Sequence, residues 1–186
     1  RLLSEKTNAN NRLRSTFSPV AQIKFLIDLN THTISAYNDY AEELMHLATI
    51  QKSDATLIDF LRMFEVVNIK QIPENRQQTI VYCNGKSKAI ELAREFSKFL
   101  PESGDKELDD LSRDIRNEVH GEYYLTEVIK KGVAYHIGYL PSAIRMRIED
   151  MFRKGKITIM FCTSTLLEGV NLPADNLFIT DFKINR

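Results

Sequence analysis

Four short apolar segments alternate with helix-like segments in the second half of the chain, and this alternation limits the fold more than any other feature. The apolar segments, each read as a strand, span residues 79–83, 133–137, 157–162 and 176–180. Residues 86–100 and 141–154, which lie between strands, carry apolar side chains at helical spacing. Parallel strands need long crossover connections, so the pattern predicts a parallel sheet with helices on both faces.

The chain before residue 73 has a different pattern, with apolar residues at helical spacing. Three helices are predicted here, beginning near Ser18-Pro19, spanning residues 33–50, and following Ser53 or Asp54. We therefore expect a helical insertion or linker over residues 1–72 and an α/β domain over residues 73–186. Because the first residue is not Met and the chain stops just after a strand, we expect a piece of a longer protein.

Composition narrows the class of protein without identifying it. The net charge is +0, so the chain lacks the global basic field of a simple nucleic-acid-binding module. A zero net charge does not exclude a nucleic-acid-binding protein whose basic groups line a single cleft. No apolar run reaches the length of a membrane span and no signal peptide opens the chain, which predicts a cytoplasmic protein. The absence of a Cys-x-x-Cys spacing favours two buried thiols at Cys83 and Cys162, with a disulfide or a metal pair as the alternative.

Small polar residues directly follow the predicted strand 157–162. Thr163 and Ser164 place hydroxyls at the carboxyl end of that strand, where α/β sheets typically bind ligands, and hydroxyls suit phosphate oxygens. Gly169 permits close backbone approach, and Asn171 offers both a donor and an acceptor. The alternative is an ordinary capped helix that begins at Ser or Thr and ends at Gly.

Two further candidates follow the other strands. Asn84 follows the first strand and is a candidate phosphate contact, or simply a turn residue. The run Asn84–Ser87 copies the end of a P-loop, but Ile80 stands where that loop requires glycine; the helix that follows can still direct N–H groups toward an anion. His136 ends the second strand close to Gly138, and a lone histidine is more often structural than functional. No arrangement of residues suggests a self-contained catalytic site or a metal site.

Residues 73–186 resemble the second RecA-like domain of superfamily 2 helicases. Residues 79–93 resemble motif IV, residues 134–155 the segment between motifs IV and V, and residues 157–179 motif V with its flanking strands. The run from Thr163 to Ala174 is most similar to the superkiller-type branch. The resemblance implies a RecA-like α/β fold, which is the P-loop NTPase-like fold without its P-loop. The small α-helical segment predicted before it, over residues 1–72, does not match the core fold of the family.

The resemblance also implies a function, that of an enzyme binding ATP and Mg²⁺ between two RecA-like domains while tracking along single-stranded RNA or DNA. Nucleic-acid contacts are implied for Asn84, His136, Gly138, Thr163 and Ser164, and contacts with ATP and the other domain for Gly169 and Asn171. No catalytic residue and no metal ligand is implied within this chain, because the P-loop domain and motif VI are missing from it. We therefore expect that the chain alone does not hydrolyse ATP.

The resemblance has two departures and leaves one main alternative. Glu168 stands where the sister DEAD-box branch has Arg, and Tyr139 counts as one extra residue between Gly138 and Leu140. The implied partner is the first RecA-like domain of the same protein, with no membrane. A surface on the N-terminal helices that docks an accessory protein is the alternative role for residues 1–72. The alternative is a non-catalytic nucleic-acid or protein interaction module with a RecA-like fold. Another nucleotide-binding α/β enzyme is disfavoured because no Gly-rich loop follows the first strand. The sequence reveals no aromatic platform for base stacking, so RNA and DNA are not distinguished.

Overall fold

The chain divides into two compact units between Ala55 and Thr56, whereas the sequence predicts a boundary between residues 72 and 73. The computed structural model describes residues 22–51, 54–69, 77–119, 124–166 and 171–181. The described part of the first unit is a three-stranded antiparallel sheet in the order β1-β2-β3. Its strands are Lys24–Asp28 (β1), Thr33–Asn38 (β2) and Glu43–Thr49 (β3).

The prediction of helices over residues 18–50 is wrong wherever the structure describes this region, because two turns reverse the chain. The Asp28 carboxylate accepts hydrogen bonds from the backbone N–H groups of Asn30 (2.8 Å) and Thr31 (3.2 Å). Asn38 repeats the arrangement ten residues later, toward the N–H groups of Tyr40 (2.9 Å) and Ala41 (3.2 Å). Such side-chain bonds offer the backbone an alternative to the helix, and here they outweigh the apolar spacing. The start of the first predicted helix, at Ser18-Pro19, lies outside the described residues.

The second unit begins with the third predicted helix, which is confirmed as α1 (Leu57–Ile69). Thr56 and Asp59 cap its start reciprocally: Asp59 Oδ2 accepts from the Thr56 N–H (2.9 Å), and Thr56 Oγ1 accepts from the Asp59 N–H (3.3 Å). The elements that follow are β4 (Thr79–Tyr82), α2 (Lys86–Ser97), α3 (Lys106–Glu118), α4 (Leu125–Ile129), β5 (Val133–His136), α5 (Ser142–Arg153), β6 (Ile159–Cys162), a 3₁₀ turn (Ser164–Leu166) and β7 (Asn176–Ile179).

These four strands form one parallel sheet in the order β5-β6-β4-β7, and helices flank it. This arrangement confirms the predicted RecA-like α/β fold. Every residue of β5 and β6 is buried, as strands covered on both faces require, whereas the edge strand β7 alternates between half-buried and exposed positions. The register sets Cys162 opposite both Tyr82 and His136, so β4, β5 and β6 end level with one another. The loops after these three strands therefore meet at one edge of the sheet.

Both cysteines lie in this core as free thiols, which confirms the first of the two predicted alternatives. Burial raises the pKa of the Cys83 thiol to about 11 and that of the Cys162 thiol to about 12. The thiolate is the reactive form, so both side chains are protonated and inert at neutral pH. None of the helices in the described part of the chain combines the length and apolar character that a membrane crossing requires.

Candidate functional site

A surface cleft of about 360 Å³ lies at the carboxyl edge of the parallel sheet. Its walls are the loops that follow β4, β5 and β6, which are adjacent in the sheet. The lining residues are Tyr82, Asn84, Gly85, Lys86, Ile137, Gly138, Tyr139, Thr163, Ser164 and Thr165. Four residues selected from the sequence, Asn84, Gly138, Thr163 and Ser164, thus lie around one cleft although they come from three separate loops.

The loop after β6 presents its hydroxyls from a fixed backbone. The Thr163 N–H donates to the carbonyl of His136 (3.2 Å), and the Leu166 N–H donates to the Thr163 carbonyl (3.1 Å). Leu166 is buried and anchors the loop in the core. The Thr163 and Thr165 hydroxyl oxygens lie 3.2 Å apart, so one donates to the other. Two hydroxyls of this kind, with Ser164 between them, form a compact group of donors toward the cleft.

Gly138 lets the loop after β5 approach the loop after β6. A Cβ atom at this position would lie 3.0 Å from the Thr165 methyl carbon, which is tighter than most Cβ contacts in proteins. A larger residue would therefore push Thr165 away and disturb its contact with Thr163. Gly138 shapes the cleft by leaving room for its neighbour, which is a different role from a direct contact through its own atoms.

The positive end of α2 faces the same cleft. The helix begins at Lys86 after an extended Gly85, and no side chain in the described part of the chain caps it. The N–H groups of a first helical turn have no partner within the helix and carry a partial positive charge, so they bind anions readily. Lys86 adds a full positive charge and is the only basic residue among the described lining residues. The cleft therefore combines N–H groups, hydroxyls and one ammonium group, which together suit a phosphate.

Asn84 lines the cleft, but its side chain is held by a neighbour. Its amide nitrogen donates to Asp181 Oδ2 at 3.0 Å, just beyond the end of β7. This bond fixes the orientation of the amide and also brings a carboxylate near that end of the cleft. Thr163 and Ser164 are consequently better placed than Asn84 to contact an anion.

His136 does not line the cleft, and the predicted direct contact with nucleic acid does not fit its position. Only 1% of the residue is exposed, because β5 is buried on both faces of the sheet. Its Nε2 atom lies 3.0 Å from Glu149 Oε1 on α5. Burial lowers the pKa of the imidazole, and the bond and charge of Glu149 only partly oppose that effect. His136 instead supports the site through its carbonyl, which accepts from the Thr163 N–H.

Sequence reasoning missed one feature of the cleft, an aromatic ring at its rim. Tyr139 is 77% exposed, and the Lys86 ammonium lies 3.7 Å from its ring centroid. The signal available in the sequence is a tyrosine directly after Gly138, which the resemblance explains only as an extra residue. The two residues come from different loops, so their pairing depends on the order of the strands.

Of the two residues predicted to face ATP, one does not line this cleft and the other lies outside the described residues. Asn171 is exposed and is not among the lining residues, and Gly169 lies outside the described residues, as does Glu168. Across the ranges that the structure describes, no three His, Cys, Asp or Glu side chains are grouped so that they could hold a metal ion.

Comparison with known proteins agrees with the fold of the second unit. Residues 56–185 match the sequence model of the helicase conserved C-terminal domain. The chain is 28% identical over 112 residues to an ATP-dependent DNA helicase Hel308 of Pyrobaculum calidifontis, covering 57% of this chain and 16% of the helicase. It is 33% identical over 116 residues to the Hel308 of Methanocella arvoryzae, covering 59% and 16%. It is also 33% identical over 103 residues to the anti-bacteriophage protein B of Escherichia coli, covering 55% and 14%. The chain thus spans about a sixth of the length of these relatives.

Proposed function

Because the chain belongs to the helicase conserved C-terminal domain family, we propose that it works as the second RecA-like domain of an ATP-dependent helicase or translocase. In that role it binds the phosphates of a single strand and supplies one side of an ATP site shared with a first RecA-like domain. The observation that carries the proposal is the meeting of Thr163, Ser164, Lys86 and the start of α2 in one cleft. The superkiller-type branch remains a prediction from the run Thr163–Ala174, and a cytoplasmic location one from composition.

The chemistry of the cleft suits a sugar–phosphate chain. Hydroxyls and backbone N–H groups donate to phosphate oxygens without reading the bases, which is what a protein moving along a strand requires. Thr163 and Ser164 supply the hydroxyls, and Lys86 supplies the charge. Several relatives are named DNA helicases, so single-stranded DNA is the favoured strand and RNA of the same sequence is the comparison.

The described residues do not by themselves fit an ATP–Mg²⁺ site. They group no set of metal-binding side chains, and the short connection between β4 and α2 lacks the glycine-rich sequence of a P-loop. ATP and Mg²⁺ therefore bind mainly to another domain, with Gly169 and Asn171 contributing from this one. Movement follows from a difference in strand affinity between the closed and open states of the two domains. An accessory protein binding to residues 1–72 is a further proposal.

The replacement Thr163→Ala tests whether the Thr163 hydroxyl binds a phosphate of the strand. Loss of one hydroxyl donor to a charged group is expected to weaken strand binding by about 10-fold, equivalent to about 1.4 kcal/mol. Thr163→Ser keeps the hydroxyl and is expected to bind as the unchanged chain does. The measurement is fluorescence anisotropy of a labelled oligothymidine, repeated at several salt concentrations, with urea unfolding of each variant in parallel.

The same measurements separate the proposal from its alternatives. If Thr163→Ala lowers the stability of the domain but leaves strand affinity intact, the hydroxyl is only a structural cap. If the unchanged chain binds no strand at any salt concentration, the proposal that the cleft binds phosphates is refuted and a protein interaction module is favoured. ATP hydrolysis by this chain alone, stimulated by a strand, would contradict the division of roles between two domains.

A further inference from the structure

The pairing of Tyr139 with Lys86 places an open aromatic ring beside the phosphate donors of the cleft. The Lys86 ammonium lies over one face of the ring, 3.7 Å from the centroid, and 77% of the residue is nevertheless exposed. The cation and the ring come from different loops, the ring following β5 and the cation opening α2. The pair therefore spans the rim of the cleft and leaves much of the ring accessible to a flat ligand.

The position of this pair distinguishes it from similar pairs on the same unit. Arg94 lies 3.4 Å from the ring centroid of Tyr124, which is 44% exposed, so a cation over a ring is not in itself unusual here. Tyr124, however, does not line the cleft, whereas Tyr139 and Lys86 both do. Of these two tyrosines, Tyr139 is the one whose open ring lies beside hydroxyls and a helix start that suit a phosphate.

We propose that Tyr139 stacks against a nucleobase of the single strand whose phosphates are held by Thr163, Ser164 and Lys86. This inference rests on the proposed function and names a base contact within the same site. A ring and a phosphate site side by side match a nucleotide, whose base and phosphate are joined through one sugar. Every base presents a π face, so the contact adds affinity without demanding a particular sequence.

Lys86 has two roles in this arrangement. Its ammonium is attracted to the negative face of the ring, which limits the orientations of Tyr139 before the strand arrives. When a phosphate enters, the same ammonium neutralises it from the side of the cleft where the ring stands. The base then stacks on the accessible part of a ring that is already positioned, so little further ordering of the side chain is needed.

The first test compares a strand with bases and a strand without them. Binding of the 186-residue chain to oligothymidine and to an abasic oligodeoxyribose phosphate of equal length is measured by anisotropy. Tyr139→Ala is expected to lose about 10-fold in affinity for the base-bearing strand, the effect of one stacked base, and nothing for the abasic strand. Tyr139→Phe is expected to retain binding because stacking does not need the hydroxyl. Tyr124→Ala, the matched pair outside the cleft, is expected to change neither affinity.

A direct reading of stacking is available because the chain contains no tryptophan. Tyr139→Trp introduces a single indole at the rim of the cleft, and its fluorescence is expected to fall when oligothymidine binds and to change little with the abasic strand. Tyr124→Trp places the same fluorophore in an exposed pair outside the cleft and is expected to respond to neither strand. This signal does not depend on the affinity of the complex.

Each outcome decides the proposal. Loss of affinity confined to the base-bearing strand, together with quenching at position 139, supports it. Equal loss on both strands means that Tyr139 contacts the backbone or holds the shape of the cleft, and overturns stacking; no loss on either strand also overturns it. Binding that depends on Thr163 but not on Tyr139 refutes stacking and still supports phosphate binding by the cleft. Failure of the unchanged chain to bind either strand refutes both.

Discussion

Replacing Ser164 by aspartate is expected to lower the affinity for single-stranded DNA by about 100-fold, the largest effect of any single change in the cleft. The new carboxylate would stand where we propose that a phosphate binds, between Thr163 and Thr165 in the lining of the cleft. Two like charges about 4 Å apart at a protein surface repel by roughly 4 kcal/mol, and salt screening reduces this to about 3 kcal/mol. An affinity change of that size is readily measured by anisotropy.

The fold is expected to tolerate this change, because Ser164 opens a short 3₁₀ turn and an acidic residue is favourable at the start of a helical turn. Ser164→Asn has nearly the same size without the charge and is expected to lose only a few-fold. Asn117→Asp adds the same charge at an exposed position on α3 that does not line the cleft. If Asn117→Asp weakens binding as much as Ser164→Asp, the effect is one of net charge, and the phosphates do not lie at Ser164.

Replacing His136 by alanine is expected to lower the free energy of unfolding by about 2–4 kcal/mol, the range for removing a buried side chain together with a hydrogen bond. The change leaves a cavity in the fully buried strand β5. It also removes the partner of Glu149, which is itself mostly buried and keeps only a longer contact of 3.5 Å with Arg153. His136→Gln can still donate to Glu149 and is expected to cost less. Urea unfolding at pH 7.5 measures both values.

The same residue is expected to make stability depend on pH. Its pKa in the folded chain lies below the ordinary value of 6.5 because burial disfavours the imidazolium, and Arg145 acts in the same direction while Glu149 opposes. Between the lowered folded pKa and 6.5 the unfolded chain binds more protons than the folded one. The contribution is therefore fully present above pH 6.5 and is lost as pH falls toward the folded pKa.

The pH dependence is checked by urea unfolding at a series of pH values from 7.5 downward. His136→Gln removes the titrating group and is expected to flatten this part of the profile. A profile that stays the same in His136→Gln would show that His136 is not the group responsible.

The fold of the second unit was largely predictable, whereas that of the first was not. Apolar runs such as 157–162 are buried on both faces, and no other element fits their length and their alternation with helices. In the first unit the apolar spacing of residues 33–50 also fits a helix, and the outcome depends on local bonds of Asp28 and Asn38. Spacing alone does not weigh those bonds, because the same residues are compatible with both structures.

The site was predictable as a set of positions but not as a set of roles. Asn84, Gly138, Thr163 and Ser164 lie just after strands, and the parallel order of the sheet brings the loops after its strands together. His136 ends a strand, yet the last residue of a doubly covered strand points into the core, where it bonds to Glu149. The sequence indicates only that Tyr139 is an extra residue in its loop, because nothing in the sequence places this ring beside Lys86.

The sequence by itself determined which segments become strands of the parallel sheet and where small polar residues leave it, because burial requires apolar side chains at those positions. Only the tertiary structure decided which strand ends are neighbours and which side chains point outward. The order β5-β6-β4-β7 puts the Thr163 loop between the Lys86 and Tyr139 loops, although the chain visits them in a different order. His136 is buried because both faces of β5 are covered, whereas Tyr139 is exposed because it lies in the loop after that strand.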